Sequence, residues 1–115
     1  MNENMIYILI GVIAYIAYKK FMQYKVLKLV PDLLNQGAQI VDVRTKGEFT
    51  SSHKDGSINI PLDSLKNRVS ELDNTRPVIV CCASGGRSAV AKRMLLSNGF
   101  ENVYNVGTYR GLNKF

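Results

Sequence analysis

The sequence is poor in cysteine, and the two cysteines it has, Cys81 and Cys82, are adjacent. Zinc sites need spaced ligands, so this pair excludes a zinc framework, and we predict that the protein uses neither a metal nor an organic cofactor. Neighbouring residues of a strand point to opposite faces, so the two thiols are also poorly placed to form a disulfide with each other. A catalytic thiol is the better interpretation, and it favours a reducing compartment.

Acidic residues are also scarce, since nine of them stand against fifteen lysines and arginines, and the net charge is +6. Such an excess suggests a nucleic-acid partner, but its distribution argues against one. Residues 1–31 hold four lysines and one glutamate, a net of +3 and half of the excess, and no RNA- or DNA-binding motif is present. These lysines follow an apolar run, as in juxtamembrane clusters that contact anionic lipids. We therefore predict no nucleic-acid partner.

The segment Met5–Tyr18 lacks charge altogether, and Lys19 and Lys20 end it. A bilayer is spanned by about 20 apolar residues, so this run is short. Phe21 and Met22 extend its apolar reach past the lysines, whose ammonium groups can extend to the interface, and local thinning of the bilayer accommodates a short span. We predict a single-pass transmembrane helix that contacts the membrane through residues 5–22, within an N-terminal segment 1–24.

Two other interpretations of the run are a cleaved secretory signal and a core or oligomerisation helix. A secretory signal begins with positive charge, whereas Glu3 is the charged residue before this run, and no cleavage site of small residues follows. A core helix exposes one polar face, but this run is apolar around its whole circumference. Because the lysines lie on its C-terminal side, the positive-inside rule predicts a cell-membrane protein whose catalytic domain faces the cytoplasm.

From residue 25 onward, short helices alternate with apolar strands. The predicted strands are Gln39–Val43, Ser57–Ile60, Pro77–Cys82 and Val103–Val106. The predicted helices are Pro31–Gln36, Leu62–Leu72, Ser88–Asn98 and a short one opened by the capping box Thr45-Lys-Gly-Glu48. This alternation predicts an α/β domain over residues 25–115, with a parallel sheet flanked by helices and right-handed crossovers.

The segment that carries the chemistry, Cys82-Ala-Ser-Gly-Gly-Arg-Ser88, joins the most apolar strand to a helix. Its loop residues are small, and glycine permits positive φ, so successive backbone N–H groups can converge on one anion. The positive end of the following helix and the charge of Arg87 act in the same direction. Together they favour a thiolate, so we predict a lowered pKa for Cys82. An inert buried thiol is the alternative for Cys82 and the preferred interpretation of Cys81.

This segment resembles the active-site loop of the rhodanese-like sulfurtransferases. Three further blocks, Val41–Phe49, Ser52–Pro61 and Gly99–Val106, are similar to other signatures of that family, in the same order. The resemblance covers about residues 31–108. It implies a rhodanese-like parallel sheet and a sulfurtransferase that moves sulfane sulfur from thiosulfate or another persulfide donor to a thiol, a cyanide or a protein cysteine.

The resemblance also implies a role for each site residue. Cys82 is the nucleophile that becomes a persulfide, and Arg87 is the catalytic-loop arginine, which closes the loop by pairing with an acidic residue, Glu48 or Asp42. The residues implied to surround the bound sulfur are Ala83, Ser84, Gly85, Gly86 and Ser88. Arg44 matches a position near the cleft mouth, where it would meet an anionic donor. His53 matches a histidine that is usually structural, and a Cys–His dyad is the alternative.

The length of the loop distinguishes a sulfurtransferase from the alternative functions. Phosphatases on the related fold have five residues between cysteine and arginine, and four residues separate Cys82 from Arg87, a narrower loop that suits a sulfur atom. Arsenate reduction is disfavoured on the same ground. A pure binding or regulatory module is the other alternative, although it would need neither the cysteine nor the loop. The chain departs from the family at Ser52, Asp55 and the tail Gly107–Phe115, which leaves the donor open.

Overall fold

The structure is a computed structural model and describes residues 2–115. Four parallel strands form one sheet in the order β2-β1-β3-β4. The strands are β1 (Gln39–Asp42), β2 (Ile58–Asn59), β3 (Val78–Cys82) and β4 (Val103–Thr108). All four predicted strands are therefore present, and the predicted α/β architecture of a parallel sheet flanked by helices is confirmed. The central strands β1 and β3 are buried along their whole length. The continuous apolar sequence of β3 predicts this, whereas β1 also buries the polar Gln39 and Asp42.

Within residues 2–115, five α-helices precede or connect these strands. They are α1 (Glu3–Leu27), α2 (Val30–Asn35), α3 (Lys46–Ser51), α4 (Leu62–Arg68) and α5 (Gly86–Ser97). Two 3₁₀ segments, Val69–Glu71 and Tyr109–Lys114, follow α4 and β4. The predicted capping box is present at the start of α3, where Thr45 and Glu48 each bond the other's backbone N–H. Helix α5 begins at Gly86, two residues before the predicted Ser88, because Gly85 (φ 109°) turns the chain directly into it.

The two faces of the sheet carry separate cores. One core packs α4 and α5 against the sheet and contains Cys82, and the other packs α2 and the C-terminal 3₁₀ helix and contains Cys81. The adjacent thiols thus lie on opposite faces of the sheet, as strand geometry predicts. Both are free and buried.

Helix α1 is a single element of 25 residues, about 37 Å long at 1.5 Å per residue. Among the described residues, it provides the one stretch long and apolar enough to cross a membrane, with a mean hydropathy of 1.6. No residue of that stretch is buried within the protein. The apolar side chains of residues 5–18 are therefore exposed on the surface of the protein.

The last turns of α1 belong to the globular part of the structure. Val26 and Leu27 pack against the core that contains Cys81, and Gln23 reaches the active-site loop. No loop separates the apolar run from these contacts, since α1 continues unbroken through residues 19–24. The predicted division between segments 1–24 and 25–115 therefore falls inside a helix rather than in a linker.

Candidate active site

Cys82 ends β3 at the carboxyl edge of the sheet, where open α/β sheets bind their ligands. The backbone N–H of Gly85 donates a hydrogen bond to Cys82 Sγ at 2.9 Å, and Ser88 Oγ lies 3.4 Å from the same sulfur. Gly85 can turn its N–H inward because it adopts a left-handed φ of 109°. The loop thus folds back over the thiol, which is 1% exposed.

Two opposing effects act on the Cys82 thiol. Burial raises its pKa, but hydrogen bonds from the Ser88 hydroxyl and from the backbone N–H groups of Ser88, Gly85 and Ser84 outweigh burial, so the pKa is lowered. Cys81 shows the contrast, because burial raises its pKa and the nearby Asp42 carboxylate adds to the effect. The site can therefore hold a thiolate at Cys82 while Cys81 stays protonated.

The mouth of the site is formed by loop residues. Ser84 and Gly86 are exposed and Ala83 is half-buried, whereas Gly85 and Ser88 are buried beside the sulfur. The first turn of α5 begins at Gly86, so its positive end faces the loop. Ala83 and Gly86 thus lie where the sequence predicted them, and their contact with a bound group stays a prediction.

Arg87 closes the loop through a bidentate ion pair with Glu48. Its Nη1 and Nη2 donate to the two carboxylate oxygens at 2.6 and 3.0 Å. Of the two predicted partners, Glu48 is thus the one that the structure pairs with Arg87. Hydrogen bonds from Arg87 and from the Thr45 backbone lower the pKa of Glu48 to about 2. Both side chains are 37% exposed, so the pair is not a buried one.

Arg44 and Asp42 differ from the sequence prediction. Instead of lying at the cleft mouth, Arg44 is 4% exposed and its guanidinium binds the fully buried Asp42 carboxylate at 2.7 Å. It also donates to the carbonyls of Glu48 and Ser52 and lies against the Tyr109 ring, 3.7 Å from the centroid. Because its guanidinium is buried and hydrogen-bonded to Asp42, Glu48 and Ser52, Arg44 holds β1 to α3 and does not line the cleft mouth.

His53 has a structural environment. Its exposed ring stacks on Phe49 with centroids 3.8 Å apart, and its Nδ1 lies 2.7 Å from the Phe49 carbonyl oxygen. The hydrogen-bond partners of Cys82 are Gly85 and Ser88 rather than this ring. Across residues 2–115, no cluster of three or more His, Cys, Asp or Glu side chains is placed to hold a metal ion.

Asn105 is a site residue that the sequence reasoning missed. Its Oδ1 lies 2.7 Å from the Ser88 hydroxyl oxygen and accepts a hydrogen bond from the Gly107 N–H at 2.9 Å, and its Nδ2 donates to the Gly85 carbonyl. The single Ser88 hydroxyl proton can be donated to this Oδ1 or to the Cys82 thiolate, but not to both at once. Asn105 therefore positions both groups that contact the Cys82 sulfur. Its place depends on an irregularity in β4, where Val106 is an extra residue between the partners of Val80 and Cys81. No local pattern signalled this role.

Gln23 of α1 is a second neighbour that the sequence did not reveal. A Cβ at Gly107 would lie 2.5 Å from Gln23 Nε2, and one at Gly85 would lie 3.1 Å from it. Gly107 also has a left-handed φ of 79°. The α1 helix and the active-site loop are therefore in direct contact, and the absence of side chains at these two glycines permits it.

Comparisons with known proteins agree with this geometry. The family described as Rhodanese-like domain matches residues 27–111. An uncharacterized protein of Bacillus subtilis, YqhL, is 35% identical over 110 residues, which cover 90% of this chain and 87% of that protein. The thiosulfate sulfurtransferase GlpE of Shewanella oneidensis is 33% identical over 86 residues, which cover 75% of this chain and 85% of that protein.

Solved structures give the same result. A rhodanese from E. coli, described with anions, superposes with a TM-score of 0.61 at 33% identity. The superposition covers 64% of this chain and 89% of the E. coli chain. The rhodanese-related protein of Thermoplasma volcanium has a TM-score of 0.65 at 26% identity, with 76% of this chain covered and 86% of that one. Because the match spans the sheet, the loop and the helix that follows it, the chain belongs to the rhodanese-like domain family.

Proposed function

We propose that the protein is a sulfurtransferase that carries sulfane sulfur on Cys82. The observation that supports this most is the contact of the Gly85 N–H with Cys82 Sγ, at 2.9 Å, beside the Ser88 hydroxyl. These donors stabilise negative charge on the sulfur that must act as nucleophile. Relatives named thiosulfate sulfurtransferase support thiosulfate as the donor.

The reaction has two displacements at sulfur. The Cys82 thiolate attacks the outer sulfur of thiosulfate, a new S–S bond forms, and the S–S bond of thiosulfate breaks with its electron pair leaving on sulfite. The terminal sulfur of the resulting persulfide carries the negative charge, which the loop N–H groups and the positive end of α5 stabilise. A thiolate or cyanide then attacks that terminal sulfur, and Cys82 leaves as the thiolate.

Mass spectrometry after incubation with thiosulfate tests this proposal. We expect a gain of about 32 Da on Cys82, reversed by cyanide or a thiol. Cys81→Ser should keep the adduct and Cys82→Ser should lose it. An unmodified Cys82, together with no thiosulfate:cyanide activity, would leave a binding module as the function.

A phosphatase assay on the same preparation distinguishes sulfur transfer from the remaining alternative, phosphatase or arsenate reductase chemistry. The four residues between Cys82 and Arg87 support sulfur rather than a tetrahedral phosphate or arsenate as the bound group. We therefore expect turnover of thiosulfate and none of an aryl phosphate. The reverse result would favour phosphatase chemistry.

We also propose that α1 anchors the protein in the cell membrane with the catalytic domain in the cytoplasm. The exposed apolar surface of α1 and the lysines that follow Tyr18 support this placement. A reducing compartment also suits a cysteine that alternates between thiolate and persulfide. Resistance to carbonate extraction, and protection of a C-terminal tag from protease outside spheroplasts, are the expected results. Digestion of the tag would show that the catalytic domain faces the outside of the cell.

A further inference from the structure

A cleft of about 190 Å³ lies between α1 and α5, beside the Cys82 site, with which it shares Asn105. Lys19 lines it from α1 and Lys92 from α5, with the amide side chains of Gln23 and Asn105 and the apolar Met22 and Val26 between them. The two lysines are 73 positions apart in the chain and lie together because α1 packs across β4 beside α5. Of these two lysines, only Lys19 belongs to the juxtamembrane cluster that the sequence predicts.

The charge of this cleft is not balanced by the protein. None of its lining residues is a carboxylate, and the ion pairs found among residues 2–115 involve neither Lys19 nor Lys92. Lys19 is exposed and Lys92 is half-buried, so both ammonium groups can reach a ligand. Two cations beside one another repel, and an anion between them removes this repulsion.

The height of the cleft along α1 indicates where its ligand comes from. Lys19 follows Tyr18, the last residue of the uncharged run, and its ammonium lies 5.9 Å from the centroid of the Tyr15 ring. Tyrosine and lysine in this arrangement are typical of the membrane–water interface. Since α1 is unbroken, Lys92 is held close to the same level.

We propose that the cleft between α1 and α5 binds the phosphate of an anionic phospholipid headgroup. This inference rests on the proposed membrane placement of α1. Lys19 and Lys92 contact the phosphate from opposite sides, and Met22 and Val26 offer an apolar wall to the glycerol and upper acyl carbons. A free phosphate ion has the charge of a lipid headgroup, but it has no apolar part and is not held at the bilayer surface.

Native mass spectrometry of the full chain in mild detergent tests the proposal. The detergent contains equal amounts of phosphatidylglycerol and phosphatidylcholine with the same acyl chains, and the ratio of retained lipids is measured. We expect the wild type to retain phosphatidylglycerol preferentially. At low salt the double variant Lys19→Gln/Lys92→Gln should bind it about 25-fold more weakly, roughly fivefold for each lysine, with phosphatidylcholine unchanged.

The matched control is Lys46→Gln/Lys66→Gln, which removes the same charge from exposed positions of α3 and α4 outside the cleft. This variant should keep the preference. Equal loss in both double variants, or no preference in the wild type, overturns the proposal. Inorganic phosphate is titrated separately, and phosphate binding through Lys19 and Lys92 without a lipid preference overturns it in favour of a soluble anion. Carbonate extraction of the wild type reports independently on the membrane placement, and sulfur transfer reports on the proposed activity.

Discussion

At the scale of single residues, the two adjacent thiols have opposite electrostatic environments. Cys82 receives hydrogen bonds that favour its thiolate, whereas Cys81 lies in an apolar core beside the buried Asp42 carboxylate. The covalent order along the chain puts them on opposite faces, and the loop decides which one receives hydrogen bonds that favour a thiolate. This difference can be measured without any knowledge of the substrate.

Alkylation as a function of pH tests the difference. Because the pKa of Cys82 is lowered, its thiolate fraction at about pH 6 to 7 exceeds that of an ordinary thiol, while the raised pKa of Cys81 keeps that residue protonated. Iodoacetamide should therefore label Cys82 far faster than Cys81, as mapped by peptide mass spectrometry. Cys81→Ala should leave the rate at Cys82 unchanged, and comparable labelling of both thiols would contradict the expectation.

Ser88 should control the ionisation of Cys82. Burial raises the pKa of Cys82, and the Ser88 hydroxyl is the largest of the contributions that lower it. Ser88→Ala therefore shifts the pH profile of Cys82 alkylation to higher pH, with less thiolate at neutral pH. Ser84→Ala is the matched control, because the Ser84 side chain is exposed and its backbone N–H is retained. An identical shift in both variants would mean that loop packing, not the hydroxyl, sets the pKa.

At the scale of elements, the loop is held from outside by α3. The Glu48–Arg87 pair joins the first turn of α3 to the first turn of α5, and the Thr45 capping box holds the same carboxylate. The buried Asp42–Arg44 pair ties the other end of α3 to β1. Two ion pairs therefore fix α3. The partly exposed Glu48–Arg87 pair lies beside the active site, and the Asp42–Arg44 pair is buried.

Stability should depend on pH through Glu48. Its pKa is lowered to about 2 in the folded protein from 4.5, so its contribution is present above about pH 4.5 and is lost as pH falls towards 2. Glu48→Gln should reduce the free energy of unfolding at neutral pH, and the difference from wild type should shrink across that window. Denaturant titrations at several pH values measure it.

Glu71→Gln is the control for this experiment. Glu71 pairs with Arg68 three residues earlier on an exposed surface, so the pair joins no separate elements and contributes little. Its removal should change the unfolding free energy less than Glu48→Gln at every pH. Equal effects of the two variants would show that the Glu48–Arg87 pair is an ordinary surface pair.

At the scale of the whole molecule, α1 is both the membrane candidate and a wall of the catalytic domain. Gln23 packs on Gly85 and Gly107, and Val26 and Leu27 pack on the core beside Cys81. In the proposed membrane placement, a helix without a linker would hold the Cys82 site at one distance from the bilayer. The same helix cannot be removed at an arbitrary residue without loss of packing.

Two truncations test this dual role. A chain that begins at Lys19 keeps Gln23, and a chain that begins at Lys25 loses it, although both lack the apolar run. We expect both to be soluble and to transfer sulfur, because Cys82, Arg87 and Glu48 lie beyond residue 25. The shorter chain should have a melting temperature lower by about 4 °C or more, which corresponds to roughly 1 kcal/mol for a domain of this size. Equal melting temperatures would show that the contact between Gln23 and the active-site loop does not stabilise the folded domain.

The sequence by itself determined the strands and most of the helices, and it predicted Cys82 as the nucleophile. Periodicity and turn residues predicted all four strands, the capping box at Thr45 and the loop after Cys82, because such features depend on neighbours within a few positions. The strand rule also predicted that Cys81 and Cys82 diverge. The apolar run of α1 was evident from composition alone.

Only the tertiary structure decided how distant side chains pair. Sequence reasoning left Glu48 and Asp42 as equal partners for Arg87, and the fold pairs Glu48 with it across 39 positions while Asp42 binds Arg44. Asn105 and Gln23 were invisible because no short-range pattern marks a residue that meets its partner through strand irregularity or helix packing. Long-range contacts depend on how whole elements pack, and local sequence preferences do not encode that packing.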